Sequence, residues 1–120
     1  MSLGEITTTD LNRWQYRAIG LLDSLVKAGL KAERYPLDWT ITNNGSLLGQ
    51  VPKFGRLSEN DRRAIFEEWC RVIGAGAPRE VNRFEGGTRH TAVFKHPTDR
   101  GEVHGSIVLE VDAPLDDDQE

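Results

Sequence analysis

The sequence predicts an α+β fold, with an antiparallel sheet of four or five strands packed against two helices in the order α-β-β-α-β-β(-β). Three observations carry this expectation. Two stretches, Thr9–Ala28 and Ser58–Gly74, repeat apolar residues at helical spacing. Val103, Gly105, Ile107, Leu109 and Val111 alternate strictly with Glu102, His104, Ser106, Val108 and Glu110, as in a strand with one buried face. Turn residues at Asn43-Asn44-Gly45 and Thr98–Gly101 separate short apolar runs that fold back as hairpins. Helix followed by hairpin, twice over, is the pattern of a pseudo-repeated α-β-β unit.

In the first helix, Leu11, Trp14, Ala18, Leu21, Leu25 and Ala28 recur at intervals of three and four and so share one stripe. Thr8 or Thr9 is placed to cap its start, and Gly29 to end it in the left-handed conformation. Ile19, Leu22 and Val26 form a second apolar row beside the first, which predicts a helix buried on two sides.

Leu37 to Val51 reads as a hairpin whose register follows from its apolar pattern. A two-residue Asn44-Gly45 turn would scatter apolar side chains over both faces. A three-residue loop with left-handed Gly45 instead pairs Ile41 with Leu47, Trp39 with Gly49 and Leu37 with Val51. Trp39 can then lie across Gly49, where no side chain blocks the ring.

Pro52 ends that strand, and a basic loop leads to Ser58, the expected cap of the second helix. Ile65, Phe66, Trp69, Val72 and Ile73 supply its apolar stripe, and Arg63–Glu67 and Glu68–Arg71 are its expected surface ion pairs. Gly74 to Pro78 links it to an expected edge strand over Arg79–Phe84. The last hairpin pairs His96 with Val103, Phe94 with Gly105, Ala92 with Ile107 and His90 with Leu109.

The 120 residues contain a single cysteine and no run of some 18 apolar residues. Residues 1–115 are therefore expected to form one α+β domain that needs no disulfide or structural metal, followed by an acidic disordered tail at 116–120. Met1–Thr9 lacks the pattern of a secretory leader, and with Cys70 alone the expected setting is cytoplasmic, with no membrane partner. The tail holds four of the 19 acidic side chains, which leaves 15 acidic and 15 basic ones in the rest of the chain. That balance argues against nucleic acid as a partner, because phosphate binding draws on excess basic charge.

Chemistry-bearing residues do not converge. His90 and His96 share a strand face but stand about 20 Å apart at ~3.3 Å per residue, and His104 points to the other face. One metal ion cannot join them. Cys70 lies mid-helix on the flank of the buried stripe, where packing is the plainer reading than a thiolate nucleophile. The Gly74–Gly76 and Gly86-Gly87 pairs lack the strand context and the Lys-Ser/Thr of a phosphate loop. Glu67 and Glu68 diverge by about 100° on their helix and cannot face one substrate. No catalytic, metal or cofactor-binding residue is assigned, and no cofactor is expected.

Trp14, Trp39, Phe66, Trp69 and Phe94 are directed inward and fill either a core or, in part, a ligand cavity walled by Trp39, Phe94 and His90. Phe54, between Lys53 and Arg56, is either an exposed partner contact flanked by cations or a plug under the sheet.

Trp39-Thr-Ile41 with Gly45-Ser-Leu-Leu-Gly49, then Asp61-Arg-Arg-Ala-Ile-Phe-Glu-Glu-Trp69, then Gly87-Thr-Arg-His90, resembles small uncharacterised actinobacterial proteins. The resemblance covers about residues 37–110. It implies a compact α+β domain and brings no catalytic or binding residue to this chain.

The functional expectation is a non-enzymatic cytoplasmic module that binds another protein, or a second copy of itself, through a sheet edge or the Phe54 loop. The competing expectation is a small-molecule-binding protein or enzyme with its pocket between sheet and helices.

Overall fold

The computed structural model describes residues 5–53 and 55–113. Helix α1 (Thr8–Ala32) leads to strands β1 (Asp38–Ile41) and β2 (Leu47–Gln50), followed by helix α2 (Glu59–Ile73). Strands β3 (Arg79–Asn82), β4 (Thr88–Thr98) and β5 (Gly101–Val111) complete the order. All five strands join one sheet in the spatial order β1-β2-β5-β4-β3. Among the described residues no helix is long and apolar enough to cross a membrane.

The sheet is mixed, which corrects the antiparallel expectation. Both hairpins are antiparallel, but β2 runs parallel to β5, with Leu47 opposite Gly105 and Gly49 opposite Ile107. The reason is a long-range contact. The Leu47 carbonyl reaches into the space above Gly105 that a side chain would fill, and this pairing turns Leu47, Val51, Ile107 and Leu109 toward the helices as one buried layer. The local patterns that set each hairpin say nothing about how two hairpins meet.

Within the hairpins the registers are those expected from the apolar pattern. Trp39 stands opposite Gly49 and Ile41 opposite Leu47, while His90, Ala92, Phe94 and His96 face Leu109, Ile107, Gly105 and Val103. Gly45 takes φ 82° in the three-residue loop and abuts the Trp14 backbone, so a side chain fails there on both conformation and space.

Helix α1 departs from expectation at both ends. Thr7 is its cap, in a reciprocal capping box with Asp10. The helix continues through Gly29 to Ala32, and Glu33 takes the left-handed capping conformation at φ 57°. Gly29 is buried where the Trp69 ring crosses the helix, and Ala28 is exposed. The missing side chain thus serves a helix crossing rather than a helix end. Helix α2 begins at the Ser58–Asp61 capping box and ends at left-handed Gly74, as its sequence implies. Its ion pairs differ: Arg63 bonds Glu59 at 2.9 Å and Glu68 pairs with Arg34 at 3.3 Å.

The core joins Ala18, Leu21 and Leu25 of α1 to Phe66, Trp69 and Ile73 of α2 over the inward row of β5. Trp39 meets Trp69 edge to face at 5.6 Å, and the Trp69 Nε1–H donates to the Tyr35 carbonyl at 2.8 Å. One face of the sheet is thereby filled, and no described element covers the other.

Candidate functional site

Two hydrogen bonds fix how α1 lies across the sheet. On one flank Gln15 Nε2 donates to the Thr42 carbonyl, 3.0 Å away, at the end of β1. On the other flank Arg17 Nη1 donates to the Glu102 carbonyl, 3.2 Å away, near the tip of the β4–β5 hairpin. From Gln15, helical spacing carries the same flank through Ile19, Leu22, Val26 and Leu30. Ile19, Leu22 and Val26 are the row expected to be buried. Leu22 touches the core, but Ile19, Val26 and Leu30 are 52%, 49% and 79% exposed. Among the described residues β1 is the end strand of the sheet, and Ile19 also lines a cleft facing the tip of the β4–β5 hairpin.

That edge carries free backbone groups. Thr42 N–H donates to the Ser46 carbonyl, so by antiparallel alternation Thr40 and Asp38 bond to β2. The N–H and C=O groups of Trp39 and Ile41 point outward. On the far side of β2 the alternation is the complement, with Val51 N–H donating to the Val108 carbonyl of β5 at 2.9 Å. An unpaired edge of four residues, about 13 Å at ~3.3 Å per residue, therefore borders the sheet where Gln15 of α1 meets the end of β1.

The opposite edge, β3, has another character. All four of its residues are exposed, and Arg79 and Glu80 put charges on it. Beside it Arg83 bonds Asp112 at 3.0 Å and approaches Glu85 and Glu110, while Arg89 bonds Glu110 through two nitrogens. Arg89 first, and then the charges of Arg83 and Lys53, hold the Glu110 carboxyl below the usual carboxylate range. Edges dressed with charge in this way resist strand addition.

Lys53 belongs to the same network, its ammonium 3.1 Å from Asp112, so one of the two cations beside Phe54 is engaged within the chain. Arg56 is exposed. Phe54 and the 116–120 tail lie outside the described residues. Trp39, Phe94 and His90 all sit on the helix-facing side of the sheet. Trp39 covers Gly49 and Phe94 covers Gly105, while His90 Nε2 lies 3.1 Å from the Thr88 hydroxyl with its ring edge-on to Phe66.

A cleft of about 580 Å³ opens elsewhere, between α1 and the tip of the β4–β5 hairpin. Ile19, Gly20 and Ser24 line it from α1, His96 and Thr98 from the hairpin, and Arg100 stacks on Tyr16 at 4.6 Å within it. A hydrogen bond and the positive charge from Arg100 lower the Tyr16 hydroxyl pKa. None of Trp39, Phe94 and His90 lines this cleft.

Among the described residues no three His, Cys, Asp or Glu side chains gather as a metal ion would require. Burial, and then the charge of Glu67, pushes the Cys70 thiol up to about 11, which keeps it protonated at neutral pH. The chemically distinctive surface is thus the β1 edge with the α1 flank. A sequence signal for the flank was present in the Ile19–Leu22–Val26 row; the missing information was that Ile19 and Val26 stay about half exposed while Leu22 reaches the core. No family model, curated protein or solved structure matches this chain.

Proposed function

We propose that this chain is a non-enzymatic interaction module of the cytoplasm that binds protein by accepting a strand at the β1 edge. The observation that carries the proposal is the unpaired β1 edge, with the outward backbone groups of Trp39 and Ile41, in a chain whose α1 leaves Ile19, Val26 and Leu30 exposed. An added strand satisfies those groups, and the half-buried Trp39 and Ile41 side chains offer it apolar contacts on the helix-facing side. The charged β3 edge, named from the sequence as a candidate, offers no comparable apolar row.

Site-specific photocross-linking in the native cell tests this. A photoreactive residue at Ile19 or Thr40 should yield a defined cross-linked product, and one at Val93, exposed on the uncovered sheet face, should not. Equal labelling at all three positions, or none at any, would overturn the proposal.

The cleft beside Gly20 favours a second reading, a small-molecule-binding protein with its ligand between α1 and the hairpin tip. A native mass spectrum of the protein from its own cells would carry added small-molecule mass on that reading. Loss of the added mass in Gly20→Leu would place the ligand in the cleft, and bare chains would remove the reading.

A further inference from the structure

We infer that the strand accepted at the β1 edge is β1 of a second copy, so that two sheets join about a two-fold axis through Thr40. The inference rests on the interaction reading above and names its partner. Two like edges meeting about a two-fold axis run antiparallel, which is the symmetry of most closed dimers. With Thr40 on the axis, Trp39 of one copy faces Ile41 of the other, and each such pair exchanges the N–H and C=O groups that β2 does not use.

The side chains agree with that register on both faces. On the helix side, half-buried Trp39 meets half-buried Ile41, an aromatic against a β-branched residue, a favourable cross-strand pair. On the uncovered face Thr40 meets Thr40, and Asp38 meets Thr42. No like charges oppose each other in this register.

Charge on the helix flank is also compatible with self-association. Gln15, Ile19, Leu22, Val26 and Leu30 are all uncharged. At the rim Asp23 is neutralised within each copy by Lys27, 3.0 Å away, so two such flanks approach without net repulsion. At the β3 edge, by contrast, a two-fold axis would bring Arg79, Glu80 and their neighbouring arginines against their own copies, where repulsion depends on register and the charged side chains need water.

The footprint is small, one four-residue strand and the side chains that flank it. It belongs at the low end of specific interfaces, roughly 1,200 Å² in total, and predicts a dimer with Kd in the micromolar range.

The test is analytical ultracentrifugation from about 1 to 500 μM, a range set to span a micromolar Kd, combined with charge variants at the axis. The wild-type chain should shift from one-chain to two-chain mass across that range. Thr40→Lys and Thr40→Glu each oppose like charges at the axis and should weaken dimerisation at least tenfold. Mixing the two variants in equal amounts should restore it. Thr40 is exposed, and an unchanged thermal midpoint of each variant at low concentration confirms that the fold is intact.

A wild-type chain that stays monomeric throughout, or a dimer that Thr40→Lys leaves unchanged, would overturn the inference. A cross-linked product from Ile19 or Thr40 whose mass is not that of two chains would overturn self-pairing while leaving the interaction module standing. Absence of any product there would overturn both.

Discussion

The ring of Phe94 lies on Gly105, its cross-strand partner, so closely that a Cβ on the glycine would overlap it. The Leu47 carbonyl of β2 occupies the same space from the side. One missing side chain thus lets an aromatic seal the core face and lets the parallel strand dock at the correct spacing. Gly105→Ala should destabilise the fold by about 3 kcal/mol, because neither the ring nor the backbone carbonyl can move away cheaply. Urea denaturation measures this; a loss below about 0.5 kcal/mol, the level of an ordinary surface change, would contradict the packing described.

Trp69 ties three elements together. Its ring crosses Gly29 of α1 and meets Trp39 of β1, and its Nε1–H bonds the Tyr35 carbonyl in the connection between them. Trp69→Phe keeps an aromatic in place but orphans that carbonyl. A cost of about 1 to 2 kcal/mol is expected from the lost bond and the lost ring volume. Thermal unfolding followed by circular dichroism reads it, and an unshifted midpoint would count against the bond.

Ser58 and Asp61 satisfy each other's backbone N–H groups at the start of α2. Ser58→Ala removes one half of this box and should cost about 1 kcal/mol. Hydrogen exchange should show the loss concentrated in the first turn of α2, and uniform loosening of the whole helix would speak against a local cap.

Glu110 has a lowered pKa and a side chain only 13% exposed, set against Arg89. A carboxyl whose folded pKa is depressed contributes stability that is complete above its unfolded pKa and is lost as pH falls through the folded value. The chain should therefore lose stability on acidification from the usual carboxylate range downward. Glu110→Gln should flatten that dependence and cost about 1 kcal/mol at neutral pH. Identical pH profiles for the variant and the wild type would refute the assignment.

Cys70, half-buried with its thiol pushed up to about 11, should react sluggishly. Alkylation by iodoacetamide near neutral pH is expected to be roughly a hundredfold slower than for a free thiol of pKa ~8.5, and to accelerate as pH rises. Rapid modification at pH 7 would show a thiolate where the structure has none.

Local interactions were legible in the residues themselves. The apolar rows of Thr9–Ala28 and Ser58–Gly74 specify helices, Gly45 specifies the three-residue loop, and strict alternation from Val103 to Val111 specifies one buried strand face. Both aromatic–glycine pairs, Trp39 on Gly49 and Phe94 on Gly105, followed from hairpin register alone, because a slip of one residue would turn every apolar side chain outward.

The candidate site was legible only in part, since a row such as Ile19–Leu22–Val26 announces that it is apolar without announcing what covers it. Burial is decided by which element lies alongside, and that depends on the parallel docking of β2 on β5. The same holds for Gly29, whose sequence signal is that of a helix end and whose place is a helix crossing under Trp69. Short-range spacing determined the helices, the turns and the strand registers. Only the tertiary structure decided the strand order, because the contacts that set it join residues some 58 positions apart, as Leu47 and Gly105 are, and only that order leaves β1 at the edge of the sheet.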